Sequence, residues 1–135
     1  MTKNLVVKSN LRNQQRVDVT TEVRIEKPDG SSLVCPVSNI SRTGLMIYCG
    51  QEEVRTLIPT QKAPAPGTWI EVDTFFSVPV VASQPVSVVA HGHIVHMRRI
   101  SRNEYQIGVQ FAEFDGDGFE YVDNYVRKLL SATVD

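Results

Sequence analysis

Little in this sequence points to a membrane, an oxidising compartment or a polyanion. The N-terminal MTKNLVVKSN offers only Leu5, Val6 and Val7 as an apolar run, too short for a signal peptide or a membrane span. The chain is therefore expected to be complete and cytoplasmic. Cysteine is scarce: Cys35 and Cys49 are the only two, both in strand-like apolar context. That excludes a disulfide framework and fits two buried thiols in a reducing cytosol. Net charge is −1 over 135 residues, aromatic content is 7% and the pI is about 6.3. None of these marks a nucleic-acid footprint, so any anion site must be local. Catalytic signatures are missing too, with no nucleophile elbow, phosphate-binding glycine loop or zinc-protease helix. Asp18, Glu22 and Glu26 fall on the polar side of a strand and need no catalytic explanation.

What is present is an ordinary globular balance, 41% hydrophobic and 21% charged, at a length that suits one domain with its own core. Val17, Val19, Thr21, Val23 and Ile25 alternate with polar residues, the period of a half-buried strand. Lys27-Pro28-Asp29-Gly30 is a turn, and Leu33 to Ser38 is the return strand, with Pro36 at an edge or bulge. A third strand is expected over Leu45 to Cys49, and a long loop over residues 50 to 67, rich in proline and glycine. Thr68 to Phe76 reads as a strand, residues 77 to 85 as a Pro-containing connection, and Val86 to Met97 as a long strand bent at Gly92. Arg98 to Glu104 is a basic hairpin loop, and Tyr105, Ile107, Val109 and Phe111 mark the closing strand.

The tail changes period. Phe119, Val122, Val126, Leu129 and Leu130 recur at helical spacing after Asp117, with Glu120 three residues later as in a capping box. Together these elements predict an all-β domain, a six-stranded antiparallel barrel packed by one C-terminal helix at about 117–131. Residues 1–11 form a flexible arm and 12–135 the single domain.

The polar stretch Asn39-Ile40-Ser41-Arg42-Thr43-Gly44 interrupts two apolar strands. In extended backbone Asn39 and Ser41 project to one side and Ile40 to the other. Gly44 leaves room for a turn or for the close approach of a ligand. An amide, a hydroxyl and open main chain then face one planar polar ligand. The same residues also suit a local Asx or Ser/Thr turn that satisfies only its own backbone.

Upstream, Arg12 and Arg16 stand four apart, just before the first strand. Arg-x-x-x-Arg followed by Asn-x-Ser-x-x-Gly resembles the PilZ family, whose domains bind cyclic di-GMP. The likeness extends to the first hairpin and to the closing strand Ile107-Gly108-Val109-Gln110-Phe111. It implies that Arg12, Arg16, Asn39 and Ser41, with the backbone near Gly44, contact the dinucleotide. Asparagine at position 39 is one of the two forms that motif allows. The chemistry agrees, because arginine forks match both guanine O6/N7 and phosphate oxygens. Arg42 is an extra cation for a phosphate or for solvent. The expected mechanism is a non-catalytic receptor whose Arg12–Arg16 segment closes over the ligand against the Asn39/Ser41 face and alters a surface for a downstream protein. Leu11, without charge or ring, has nothing to stack on a second dinucleotide, which implies one ligand per chain.

Other readings are weaker. A small barrel binding single-stranded nucleic acid would use Arg98, Arg99 and Arg102 as a basic cluster, with Trp69, Phe75 and Phe76 as stacking platforms. A third reading is a protein-interaction module of the same fold without a ligand. His91, His93 and His96 do not make a metal site, since His96 points away from the other two on an unbulged strand. Asp115-Gly116-Asp117 lacks the later positions of a calcium loop. No metal or cofactor is expected.

Overall fold

The computed structural model describes residues 16–60, 62, 65, 69–81 and 84–134. The expected arm at 1–11 and Arg12 lie outside them. Strand β1 (Val17–Glu26) begins the fold, and turns through Pro28-Asp29-Gly30 into β2 (Ser32–Ile40). Gly30 adopts φ 92°, the left-handed region that favours glycine. Then follow β3 (Gly44–Cys49), helix α1 (Gln51–Leu57), β4 (Ile70–Val81), β5 (Gln84–Ser101), β6 (Glu104–Phe114) and helix α2 (Gly118–Val134). The strands close into an antiparallel barrel in the order β1-β2-β3-β6-β5-β4, and β1 pairs with β4 at Arg24–Glu26 to seal it.

Period-two alternation explains the core. Val23, Ile25, Cys35, Val37, Leu45, Ile47, Ile107 and Val109 all point inward and are buried. Helix α2 packs on β1, β4 and β5 and contributes the fully buried Val122 and Val126, with Leu129 and Leu130 partly buried beside them. Phe119, expected on that stripe, is instead 49% exposed and meets Phe114 edge-on at 5.8 Å.

Three expectations need correction. Residues 51–57 are helix rather than loop. Val54 and Leu57, followed by Ile58, bury one side of this single-face turn, and the Glu53 carboxylate accepts the Gly50 N–H at 2.9 Å. The prolines at 59, 64 and 66 lie beyond it, so the helix is stopped rather than prevented. The second correction lies in the connection at 77–85, where the strands run on to Val81 and resume at Gln84. β4 is paired with β1 only at Asp73–Phe75, so Pro79 falls where β4 has no β1 partner, within a register shift of the β4–β5 ladder. The third is the basic loop at 98–104. It shrinks to Arg102-Asn103, because pairing continues through Arg98↔Gln106 and Arg99↔Tyr105 to Ser101↔Glu104. Pro36 fits its expected edge character, since the β2–β3 ladder spans Val37, Asn39 and Ile40 and stops short of it. Gly92 sits at a register shift and faces the Gln110 carbonyl, which a Cβ would approach to 2.2 Å.

Candidate functional site

β2 ends at Ile40, and there the expected geometry divides. Asn39 stays on the strand, half-buried, paired with Asp18 of β1 and Met46 of β3. Its amide donates to Ser38 Oγ at 3.2 Å, while its carbonyl accepts from Arg16 Nη1 at 3.0 Å. Ser41 has already left the strand and is fully buried. Its N–H donates to the Gly44 carbonyl at 2.8 Å, and its hydroxyl accepts the Thr43 N–H at 3.2 Å and lies 3.3 Å from the same carbonyl. Alternation between Asn39 and Ser41 therefore fails because the chain turns between them. Ser41 holds a local turn, the second of the two roles its residue type allowed.

Gly44 is glycine for its neighbour strand. A Cβ there would come within 2.2 Å of the Val109 carbonyl, so β3 and β6 approach too closely for any side chain. The turn then hands its next carbonyl, that of Thr43, to the Phe111 N–H at 2.8 Å. Arg42 is not solvated. It is buried and forms an ion pair with Asp123 of α2, which also pairs with Arg127 one helical turn on. A guanidinium in that setting ties the turn to the helix.

Arg16, exposed at the start of β1, stands at one side of a cleft of about 510 Å³. Thr43 and Met46 line it from the turn and β3, and Gly108, Val109 and Gln110 from β6. Val95 and His96 of β5 close the far side. Crowding by protein lowers the Arg16 pKa, yet a guanidinium remains cationic at any physiological pH. The site thus joins Arg16 to Asn39 at the edge of a half-apolar cleft whose size suits a small organic ligand. Arg12 lies outside the described residues.

Several cleft residues escaped sequence reasoning. Gly108 and Gln110 fell on the outer phase of the closing strand, a legible signal. His96 did not, because the β5–β6 register shifts between Ile94 and His96. That bulge leaves Val95 and His96 both exposed, which reverses the expectation that His96 points away from His91 and His93. Bulges carry no composition signature strong enough to read.

The other histidines have separate roles. His93 lies against Trp69, ring centroids 5.0 Å apart. His91 is held between two carboxylates, Nδ1 at 2.6 Å from Asp73 and Nε2 at 2.8 Å from Asp115. Both contacts favour the imidazolium and raise its pKa from 6.5 to about 9, against a small opposing effect of burial. A pKa raised on folding means stability present in full below about 6.5 and lost as pH rises through about 9. Both carboxylates and the ring are well exposed, so solvent screens the pair and the effect is small. The expected result is an NMR titration of His91 centred near 9, with a Tm that declines across that range less in His91→Gln. A midpoint near 6.5 would remove the clamp.

Among the described residues no three or more His, Cys, Asp or Glu side chains converge on a metal position, and no helix is long and apolar enough to cross a membrane. The stacking platform of the nucleic-acid reading is not assembled. Phe76 is in the core against Phe111, while Phe75 lies under the Arg24 guanidinium at 4.0 Å. Arg99 donates from Nε to the Ser101 carbonyl and from Nη2 to the Arg102 carbonyl.

Comparison with known proteins agrees with this architecture. The family model described as PilZ domain matches residues 10–128. No curated protein sequence matches. The fold is similar to the Bacillus subtilis inhibitor of motility MotI/DgrA, with a TM-score of 0.62 at 12% identity over 86% of this chain and 50% of that one. It is also similar to K. pneumonia MrkH in complex with c-di-GMP, TM-score 0.60 at 14% identity, covering 89% of this chain and 52% of that one. The PilZ domain of Escherichia coli YcgR with c-di-GMP gives 0.56 at 7% identity, over 88% of this chain and 91% of that domain. The chain spans about half the length of the first two.

Proposed function

The chain belongs to the PilZ domain family, and from that premise we propose that it is a non-catalytic receptor for cyclic di-GMP. The observation that carries this is the Arg16–Asn39 pair, 3.0 Å apart, at the edge of a cleft of about 510 Å³. Cyclic di-GMP offers two purine faces, guanine O6/N7 acceptors and two phosphates. Arg16 supplies a planar cationic fork for an acceptor edge or a phosphate. Asn39 adds amide hydrogen bonding once its carbonyl is released from Arg16. Gly108 lets the His96 and Met46 side chains close in over β6, where an added Cβ would meet His96 Cβ at 3.1 Å, so these two side chains form the cleft wall on that side. Ser41 acts through the turn, by fixing Thr43 at the cleft. Two of the complexes named above, MrkH and YcgR, hold this dinucleotide, which supports the same ligand class here.

Arg12 supplies the second guanidinium in this proposal, the two arginines closing over one dinucleotide per chain. That closure changes the surface presented to a downstream protein in the cytoplasm. Calorimetric titration of the full chain tests the reading. Saturable heats with cyclic di-GMP, and none with GTP, are expected; flat heats from folded protein would overturn it.

A further inference from the structure

Cys35 and Cys49 lie opposite each other on β2 and β3. Val37 pairs with Ile47, and Cys35 and Cys49 lie two residues further along each strand, just past the paired stretch. Their sulfurs are 3.4 Å apart, and both residues are free and buried. A disulfide joins sulfurs at about 2.03–2.05 Å, and these two already touch. Bond formation therefore closes an existing sulfur contact rather than bringing together a distant pair. The pair is not sealed, since Cys49 lines a surface cleft of about 280 Å³ with Pro36, Tyr48 and Glu53. Cys49 is accordingly the more accessible of the two, 4% exposed against 1% for Cys35.

We propose that Cys35 and Cys49 form a reversible cross-strand disulfide when the protein meets a peroxide-class oxidant. The Cys49 thiolate attacks one peroxide oxygen, the O–O bond breaks, and the departing hydroxide takes a proton to become water. Cys35 then attacks the sulfenic sulfur of Cys49. The S–S bond forms, the S–O bond breaks, and the oxygen leaves as a second water. Two thiols lose two electrons and two protons, and one peroxide becomes two waters. Contact with the Cys35 thiol, followed by burial, raises the Cys49 pKa well above the ordinary thiol range.

The cross-link has a place in function because of what it encloses. The loop between the two cysteines contains Asn39, Ser41, Thr43 and Met46, the β2–β3 side of the candidate site. This consequence rests on the receptor reading above; the chemistry of the bond does not. A hairpin locked in the arrangement it already has is better organised for its ligand.

The test uses the full chain, treated with hydrogen peroxide, unfolded with a thiol-alkylating reagent and weighed intact. The expected product is a monomer lighter by two hydrogens, carrying no alkyl label and restored to two labels by dithiothreitol. Cys35→Ala, checked for folding by circular dichroism, should give no cross-link. Two alkylated thiols after treatment, or added oxygen without a cross-link, would overturn the proposal, and that result needs only the wild-type chain. Oxidised protein is then titrated with cyclic di-GMP beside reduced protein. An affinity increase of about threefold or more supports the coupling to the site, and equal affinities refute it. A cross-link that forms while neither state binds the dinucleotide would sustain the thiol chemistry and overturn the receptor reading alone.

Discussion

Arg16→Ala is expected to remove measurable cyclic di-GMP binding while leaving the barrel intact. The side chain is exposed at the first residue before β1 and donates to the Asn39 carbonyl. Loss of a surface hydrogen bond costs the fold little. Loss of a charge-assisted contact to a guanine edge or phosphate costs about 2–3 kcal/mol of affinity, roughly 30- to 150-fold by the usual conversion. Arg16→Lys should fall between, because a point charge keeps the attraction to phosphate but not the bidentate match. Calorimetry with circular dichroism as the folding control measures both halves of the claim. Unchanged affinity in a folded Arg16→Ala protein would move the ligand away from this cleft. Ser41→Ala provides the contrast: a fully buried hydroxyl that accepts the Thr43 N–H should cost stability first, with binding lost as a consequence.

That contrast also marks what could be read from the residues. Strand alternation is dictated by which side chains must leave water, so β1, the core of β3 and β6 and the amphipathic tail were all legible. Helix α1 was not, because seven residues with two buried contacts inside the helix give a weak period, and the prolines after it dominate the segment. At the site, residue types were informative while directions were not. Asn39 and Ser41 sit two apart, yet one remains on the strand and the other turns inward, a difference decided by where the ladder ends. Gly44 was legible as a point of close approach, but the approaching group is the Val109 carbonyl. His96 reached the cleft through a bulge that pattern alone does not register.

Arg42 is the sharpest case, since its position within the polar stretch suggested ligand or solvent and its side chain is instead buried against helix α2. It is 7% exposed and paired with Asp123. Asp123→Ala should therefore be among the most destabilising single changes in the chain. A buried guanidinium that loses its carboxylate keeps its charge, and breaking such a pair costs about 3–5 kcal/mol. Asp123 is itself about a fifth exposed, so the lower figure, about 3 kcal/mol, is the better expectation. Against a typical domain stability of about 5–15 kcal/mol, thermal unfolding would come roughly 10–15 °C earlier. Asp123→Asn, which keeps one acceptor, should lose less. The decisive variant replaces both partners, Arg42→Met with Asp123→Leu. Apolar replacement of a buried pair is often neutral or stabilising, so Tm should recover towards wild type. If Arg42 serves only to anchor the turn on α2, cyclic di-GMP affinity recovers with it. A double variant that is stable but binds more than tenfold more weakly would return Arg42 to the ligand-contacting set. The result therefore separates a residue that holds the site from one that touches the ligand, two roles that the single Arg42→Ala substitution confounds.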